Sequence, residues 1–120
     1  IEAGAQAILV CHNIVSCMDG TLPASLSPAV HQVLREGLGF DGVVMTDDLV
    51  MQAITDYTGD ADAAVLAVQA GNDMLISSDF VTQYNAVLAA VQNGTISETA
   101  IRDSAVRVLR WKIELGLIDS

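Results

Sequence analysis

The chain is poor in basic residues and in cysteine, and it contains no long apolar run. Five lysines and arginines stand against fifteen aspartates and glutamates, a formal net charge of -10 at pH 7. That balance excludes nucleic acid and an anionic membrane surface as partners, because binding either depends on Lys and Arg neutralising phosphates. A neutral or cationic small molecule is easier to accommodate. No apolar stretch approaches the roughly 20 residues needed to cross a bilayer, and no basic segment leads into an apolar one with a small-residue cleavage site. The chain begins at Ile1 rather than Met, so it reads as a processed or trimmed piece, and the missing leader assigns no compartment. Two cysteines, Cys11 and Cys17, are too few for a disulfide scaffold and lack the spacing of a zinc site. Reduced thiols are the expectation, with a Cys11–Cys17 disulfide as the alternative.

What remains is a chain of 120 residues, 52% hydrophobic, enough for one compact domain with a core. No linker or low-complexity segment divides it, so residues 1–120 are expected to be a portion of one domain with no internal boundary. Three apolar runs stand out: "AQAILVC" from residue 5, "DGVVMT" from residue 41 and "NDMLISS" from residue 72. Their spacing is that of a strand plus a crossover helix. None alternates polar with apolar, which predicts strands covered on both faces, as in a parallel sheet. The class is therefore α/β.

The helices between them have legible ends. Ser27 before Pro28 is a cap and first-turn signal for "PAVHQVLREGLG", with Val30, Val33 and Leu34 on one face and Gly37 and Gly39 as stops. Asp60 can cap the helix that ends at Gly71, the next helix ends at Gly94, and Ser97 opens a longer one carrying Ile101, Ala105, Val108, Leu109 and Lys112 at helical spacing. The Met, Leu and Val stripes, Tyr84 and Trp111 are read as packing residues, and His31 as a surface or packing residue. Three strands cannot close a barrel, and an open parallel sheet leaves edges able to recruit other chains. The chain reads as part of something larger.

In parallel α/β folds, chemistry gathers where the strands end. The three ends here are Cys11-His12-Asn13, Thr46-Asp47-Asp48 and Ser77-Ser78-Asp79. Asp47 and Asp48 are neighbours, so in extended backbone they point to opposite sides and only one faces a common mouth. That carboxylate could be a nucleophile, a general base or a metal ligand, or one or both could cap the turn "LVMQAI". His12 could face a ligand or be a hydrogen-bonded structural residue. Ser77 and Ser78 read as caps of the following helix, since no G-x-S-x-G is present, and Asp73 as the residue that fixes its turn. No i, i+4 ligand pair supports a metal site. A phosphoacceptor receiver domain would need a lysine at a later strand end, and the only lysine, Lys112, lies in the last helix.

Together, the segments "LPASLSP", "VLREGLGFDGVVMTDDLVMQAI", "AVQAGNDMLI" and "VQNGTISETAIRDSAVRVLRWKIELGL" resemble, in family order, the C-terminal part of the catalytic (β/α)8 barrel of family 3 glycoside hydrolases, in the β-N-acetylhexosaminidase branch. The resemblance implies three consecutive βα units of a TIM-type barrel, strands six to eight, hence an incomplete barrel. It implies a glycosidase acting on terminal β-linked N-acetylglucosamine, as in cell-wall (peptidoglycan) recycling, with Asp47 as nucleophile of a retaining mechanism. His12, Asp48 and Met51 are implied as sugar-site residues, and Asp48 with Leu49 and Met51 marks the branch. No metal or organic cofactor is implied. The family's acid/base histidine, on a loop of an earlier segment, has no counterpart in the context of His12 or His31. The expected partners are a carbohydrate substrate and either the N-terminal part of the same barrel or other copies of the chain, and the isolated chain is expected to be inactive. The alternative is a non-catalytic, sugar-binding or self-assembling barrel remnant.

Overall fold

The computed structural model describes residues 1–51, 54, 56–58 and 60–119. Two short parallel strands, β1 (Ala7–Val10) and β2 (Val43–Thr46), are joined through a single 3-10 turn (Ala24–Leu26) and helix α1 (Pro28–Gln32). After β2 come α2 (Asp60–Ala70), α3 (Phe80–Gln92) and α4 (Glu98–Glu114). The strands pair in register from Ala7 opposite Val43 to Val10 opposite Thr46. The parallel α/β class expected from the run spacing is what forms.

The third expected strand, over 72–78, is reduced to one parallel bridge between Met45 and Met74. The Asp73 and Met74 amides both donate to the Val44 carbonyl (2.7 and 3.2 Å), and the Thr46 amide donates to the Met74 carbonyl (3.1 Å). Beyond that the ladder stops. The Ile76 amide donates to the Thr46 hydroxyl (3.1 Å), and the Ile76 carbonyl accepts from Leu49 in the turn after β2 (3.0 Å).

Ile8 and Val10 of β1 and Val44 of β2 pack with Ala24, Val30, Leu34 and Phe40 under α1. A second core gathers Leu26, Leu49 and Ile54 with Ala63, Ala64 and Ala67 of α2. Small residues along α2 let it approach closely, and Leu75 and Val87 close the cluster from the third segment and α3. The expectation that both faces of every strand are covered fails at β1. Side chains alternate, and Leu9, on the face opposite Ile8 and Val10, is 51% exposed.

The helix ends follow their punctuation. Ser27 accepts from the Val30 amide with Pro28 in the first turn, Ser97 accepts from Ala100, and α2 and α3 stop just before Gly71 (φ 113°) and Gly94 (φ 80°), where an L side chain would be strained. Three readings need correction. The helix begun by α1 widens to a π-type turn over Val33–Gly37, which leaves Val33 exposed. The cap of α3 is Asp79, accepting from Thr82, rather than Ser77 or Ser78. Tyr84 is not a packing residue: it is 66% exposed, and Leu88, Val106 and Leu109 are exposed with it. The side chain of Asp60, and with it the proposed cap, is not described, and the middle of "LVMQAI" lies outside the described residues. His31 is buried, its Nδ1 donating to the Ser27 carbonyl (2.8 Å).

Gly42 enters β2 with no room to spare. A Cβ there would overlap the Gln6 carbonyl oxygen and the Phe40 ring, and the same carbonyl accepts from the Val43 amide (3.0 Å). Since backbone cannot swing aside as a side chain can, Gly42→Ala is expected to cost about 1–3 kcal/mol of stability, read from the urea midpoint. An unchanged midpoint would contradict this packing.

Candidate active site

The three strand ends lie side by side, and His12, Asp47, Asp48 and Ser78 from them form one connected set. Past the end of β2 the Asp47 amide still donates to the Val10 carbonyl (3.2 Å), so the ladder persists by one residue. Asp47 thereby keeps the parity of Met45 and Leu9, which share the face opposite the α1 core. One oxygen of its carboxylate accepts the amide of Asp48 (2.8 Å). Asp47 is half-buried.

Asp48 takes the opposite parity and is gripped by the third segment. Its carboxylate accepts the Ser78 hydroxyl, the Ser78 amide (3.2 Å) and the Val50 amide (3.0 Å). These bonds, the Ser78 hydroxyl first, hold its pKa below the usual carboxylate value, against the opposing effect of burial and with a smaller contribution from His12. The bond to Val50 closes a local turn after β2; the helical stretch that the pair was read to cap runs through residues outside the described ones.

His12, at the end of β1, is buried with both ring nitrogens engaged. The Asp48 carbonyl can only accept, so Nε2 is the donor to it (2.9 Å), and Nδ1 shares a hydrogen bond with the Ser25 hydroxyl (2.7 Å). The Asn72 amide group donates in turn to the Ser25 carbonyl (2.7 Å). Met51 donates its own amide to the Asp48 carbonyl (3.1 Å) and leaves its side chain 45% exposed. The structure therefore brings Asp47, His12 and the Met51 backbone together around the backbone of one residue, Asp48. Ser78 and Ser25 complete that set. The sequence had flagged Ser78 only as a helix cap, and nothing in the local pattern around Ser25 pointed to a histidine thirteen residues away. Among the described residues no three His, Cys, Asp or Glu side chains gather as metal ligands. Cys11 and Cys17 are both free and exposed.

The loop leading from β1 to α1 is organised by another carboxylate. Asp19 accepts from the Thr21 amide and hydroxyl and the Leu22 amide through one oxygen, and from the Ser27 hydroxyl through the other (2.7 Å). It thus braces the residue that caps α1. These bonds, Ser27 foremost, drive the Asp19 pKa well below the carboxylate range. A depressed folded-state pKa adds stability above the unfolded value, about 4 for Asp, and loses it as the pH falls toward the folded one. The melting temperature is therefore expected to drop between pH 5 and about pH 2. Asp19→Asn should be less stable at pH 5 and show a shallower drop; an identical pH profile would contradict the bracing role.

Residues 1–111 match the sequence profile of the glycosyl hydrolase family 3 N terminal domain. The chain belongs to glycosyl hydrolase family 3. Among its curated family 3 relatives, Beta-hexosaminidase LpqI of Mycobacterium tuberculosis is 34% identical over 114 residues, covering 88% of this chain and 29% of that protein. Among solved structures, a glycoside hydrolase family 3 β-N-acetylglucosaminidase from a Paenibacillus species superposes with a TM-score of 0.86 at 42% identity, over 93% of this chain and 22% of that one. A β-N-acetylhexosaminidase from Beutenbergia cavernae gives a TM-score of 0.82 at 35% identity, over 92% and 34% of the respective chains. The chain spans between 15% and 34% of the length of curated relatives it matches.

Proposed function

We propose that this chain supplies the nucleophile side of a retaining β-N-acetylhexosaminidase-type active site, with β1, β2 and the Met74 segment as the sixth, seventh and eighth strands of a family 3 barrel. The observation that carries the reading is the placement of Asp47. It is the last residue on the β2 ladder, directed to the face away from the α1 core, with one carboxylate oxygen tied to the Asp48 amide. The names of the family 3 relatives, β-hexosaminidase and β-N-acetylglucosaminidase, support the substrate class.

In this mechanism an Asp47 oxygen attacks the anomeric carbon of a terminal β-linked N-acetylglucosamine. The glycosidic C–O bond breaks, its electrons leave with the aglycone oxygen, and a general acid protonates that oxygen. The resulting glycosyl ester on Asp47 is then attacked at the same carbon by water or another acceptor, which returns the carboxylate and completes retention. His12 and His31 are the two histidines of the chain, and neither suits the acid role. Both His12 nitrogens are engaged within the protein, and His31 is buried beneath Gly71. The acid/base comes from elsewhere in the barrel, and the chain alone is expected to give no turnover of an aryl N-acetylglucosaminide. Robust turnover by the 120-residue chain, abolished in Asp47→Asn, would overturn that division of labour.

A second reading is a non-catalytic unit that assembles with other copies. It is favoured by apolar side chains left exposed on β1, α3 and α4, among them Leu9, Phe80, Tyr84 and Leu109. A hydrodynamic size well above that of a 12.6 kDa monomer, with no glycosyl ester formed on Asp47 in a completed barrel, would select it.

A further inference from the structure

We propose that Ser78 is a positioning residue for Asp47, acting through Asp48, so that the end of the third strand segment sets the orientation of a carboxylate at the end of the second. The chain of contacts is short. Ser78 binds the Asp48 carboxylate by both its hydroxyl and its amide. His12, seated on Ser25, holds the Asp48 carbonyl. The third substituent of the same Asp48 Cα is the Asp48 N–H, on the preceding peptide, and it is the group that donates to Asp47 at 2.8 Å.

With its side chain and its carbonyl both held, the Asp48 Cα has little freedom to turn, which restricts the direction of the N–H attached to it and, with it, the rotamer of the carboxylate that N–H binds. The tethered Asp47 oxygen is thereby turned toward its own backbone, and the other is left as the oxygen that faces away. This arrangement cannot be replaced by Asp48 alone, because a local turn bond to Val50 (3.0 Å) orients the Asp48 side chain without tying it to another strand. Ser78 is the residue that makes the pair answer to the neighbouring strand end. Its relevance to catalysis rests on Asp47 being the nucleophile; the geometry does not.

The test is made by proton–nitrogen NMR on the 120-residue chain. An amide that donates to a carboxylate moves downfield when that carboxylate ionises. The Asp48 amide proton is therefore expected to show a titrating component that vanishes in Asp47→Asn. In Ser78→Ala that component should fall to less than half, and in Ser78→Thr, which keeps the hydroxyl, it should return, while the amide shifts of Val43, Val44 and Met45 stay in place. A component of unchanged size in Ser78→Ala would overturn the proposal. So would equal disturbance along the whole of β2, which would make Ser78 a general structural support. If the amide behaves as expected but Asp47 never carries a glycosyl ester in a completed barrel, the nucleophile assignment falls and Ser78 has no positioning role in the reaction.

Discussion

Asp47→Asn is expected to lower kcat/KM by about four orders of magnitude in a completed barrel, with no loss of fold. The completed barrel can be built by placing this chain in the matched part of the Paenibacillus β-N-acetylglucosaminidase, where the two share 42% identity. Asn is close to isosteric with Asp and can still accept the Asp48 amide through its carbonyl oxygen, so the peptide at the strand end stays tethered. What it loses is the negative charge that, in the proposed mechanism, attacks the anomeric carbon and offsets the positive charge developing on the sugar. Removing a nucleophile acts on the transition state rather than on substrate binding, so the fall should lie in kcat with KM little changed. A variant within tenfold of the parent would take Asp47 out of the nucleophile role.

The second large effect is on stability, and it falls on Asp73. This side chain is 1% exposed, yet every partner it needs is present. One oxygen accepts from Arg35 (2.5 Å) and from the Val44 amide (2.9 Å); the other accepts from the Ser104 hydroxyl (2.9 Å) and Arg107 (3.0 Å). A single carboxylate thus joins α1's extension, β2 and α4. Arg35 is also committed to the Phe40 and Gly42 carbonyls (3.0 and 2.7 Å), so it cannot follow if Asp73 is removed.

Asp73→Ala strands a buried β2 amide and two guanidinium groups that remain partly in contact with solvent, at 21% and 32% exposure. Breaking a buried pair by deleting one partner costs about 3–5 kcal/mol, and the partial exposure of the arginines argues for about 3. The urea unfolding midpoint should fall accordingly. Arg107→Ala should cost less, because Arg107 is the more exposed partner. A loss of less than about 1 kcal/mol in Asp73→Ala would mean that the network contributes nothing beyond a surface pair.

These two residues also show what a linear reading can and cannot reach. The place of Asp47 at a strand end was legible because the signals around it are local: an apolar run marks β2, and the first carboxylate after it sits where the strand ends; its choice over Asp48 as nucleophile came from the family resemblance alone. Ser27, Ser97, Gly71 and Gly94 were legible for the same reason, since capping and positive φ are decided within a few residues. Asp73 was read only as a turn residue, because its partners Arg35, Ser104 and Arg107 are about thirty residues or more away in either direction and no spacing rule connects them. Ser78 was read as the cap of α3 for a similar reason, whereas Asp79 beside it caps that helix and Asp48 draws Ser78 across the strand ends. The third strand was over-read because an apolar run reports burial, not a ladder. Its partner β2 ends at Thr46, after which the available acceptor is the Thr46 hydroxyl. The exposed apolar residues of α3 and α4 obey helical spacing, but spacing alone does not say whether anything covers the face it creates.

The central claim is that Asp47 becomes covalently attached to sugar, and peptide mapping by mass spectrometry tests it most directly. The completed barrel would be treated with a fluorinated N-acetylglucosaminide whose glycosyl-enzyme turns over slowly, then digested, and the modified residue located by fragmentation. The expected result is a single glycosyl ester on Asp47, absent from Asp47→Asn. An ester on Asp48 or elsewhere, or hydrolysis with no ester at all, would contradict the account.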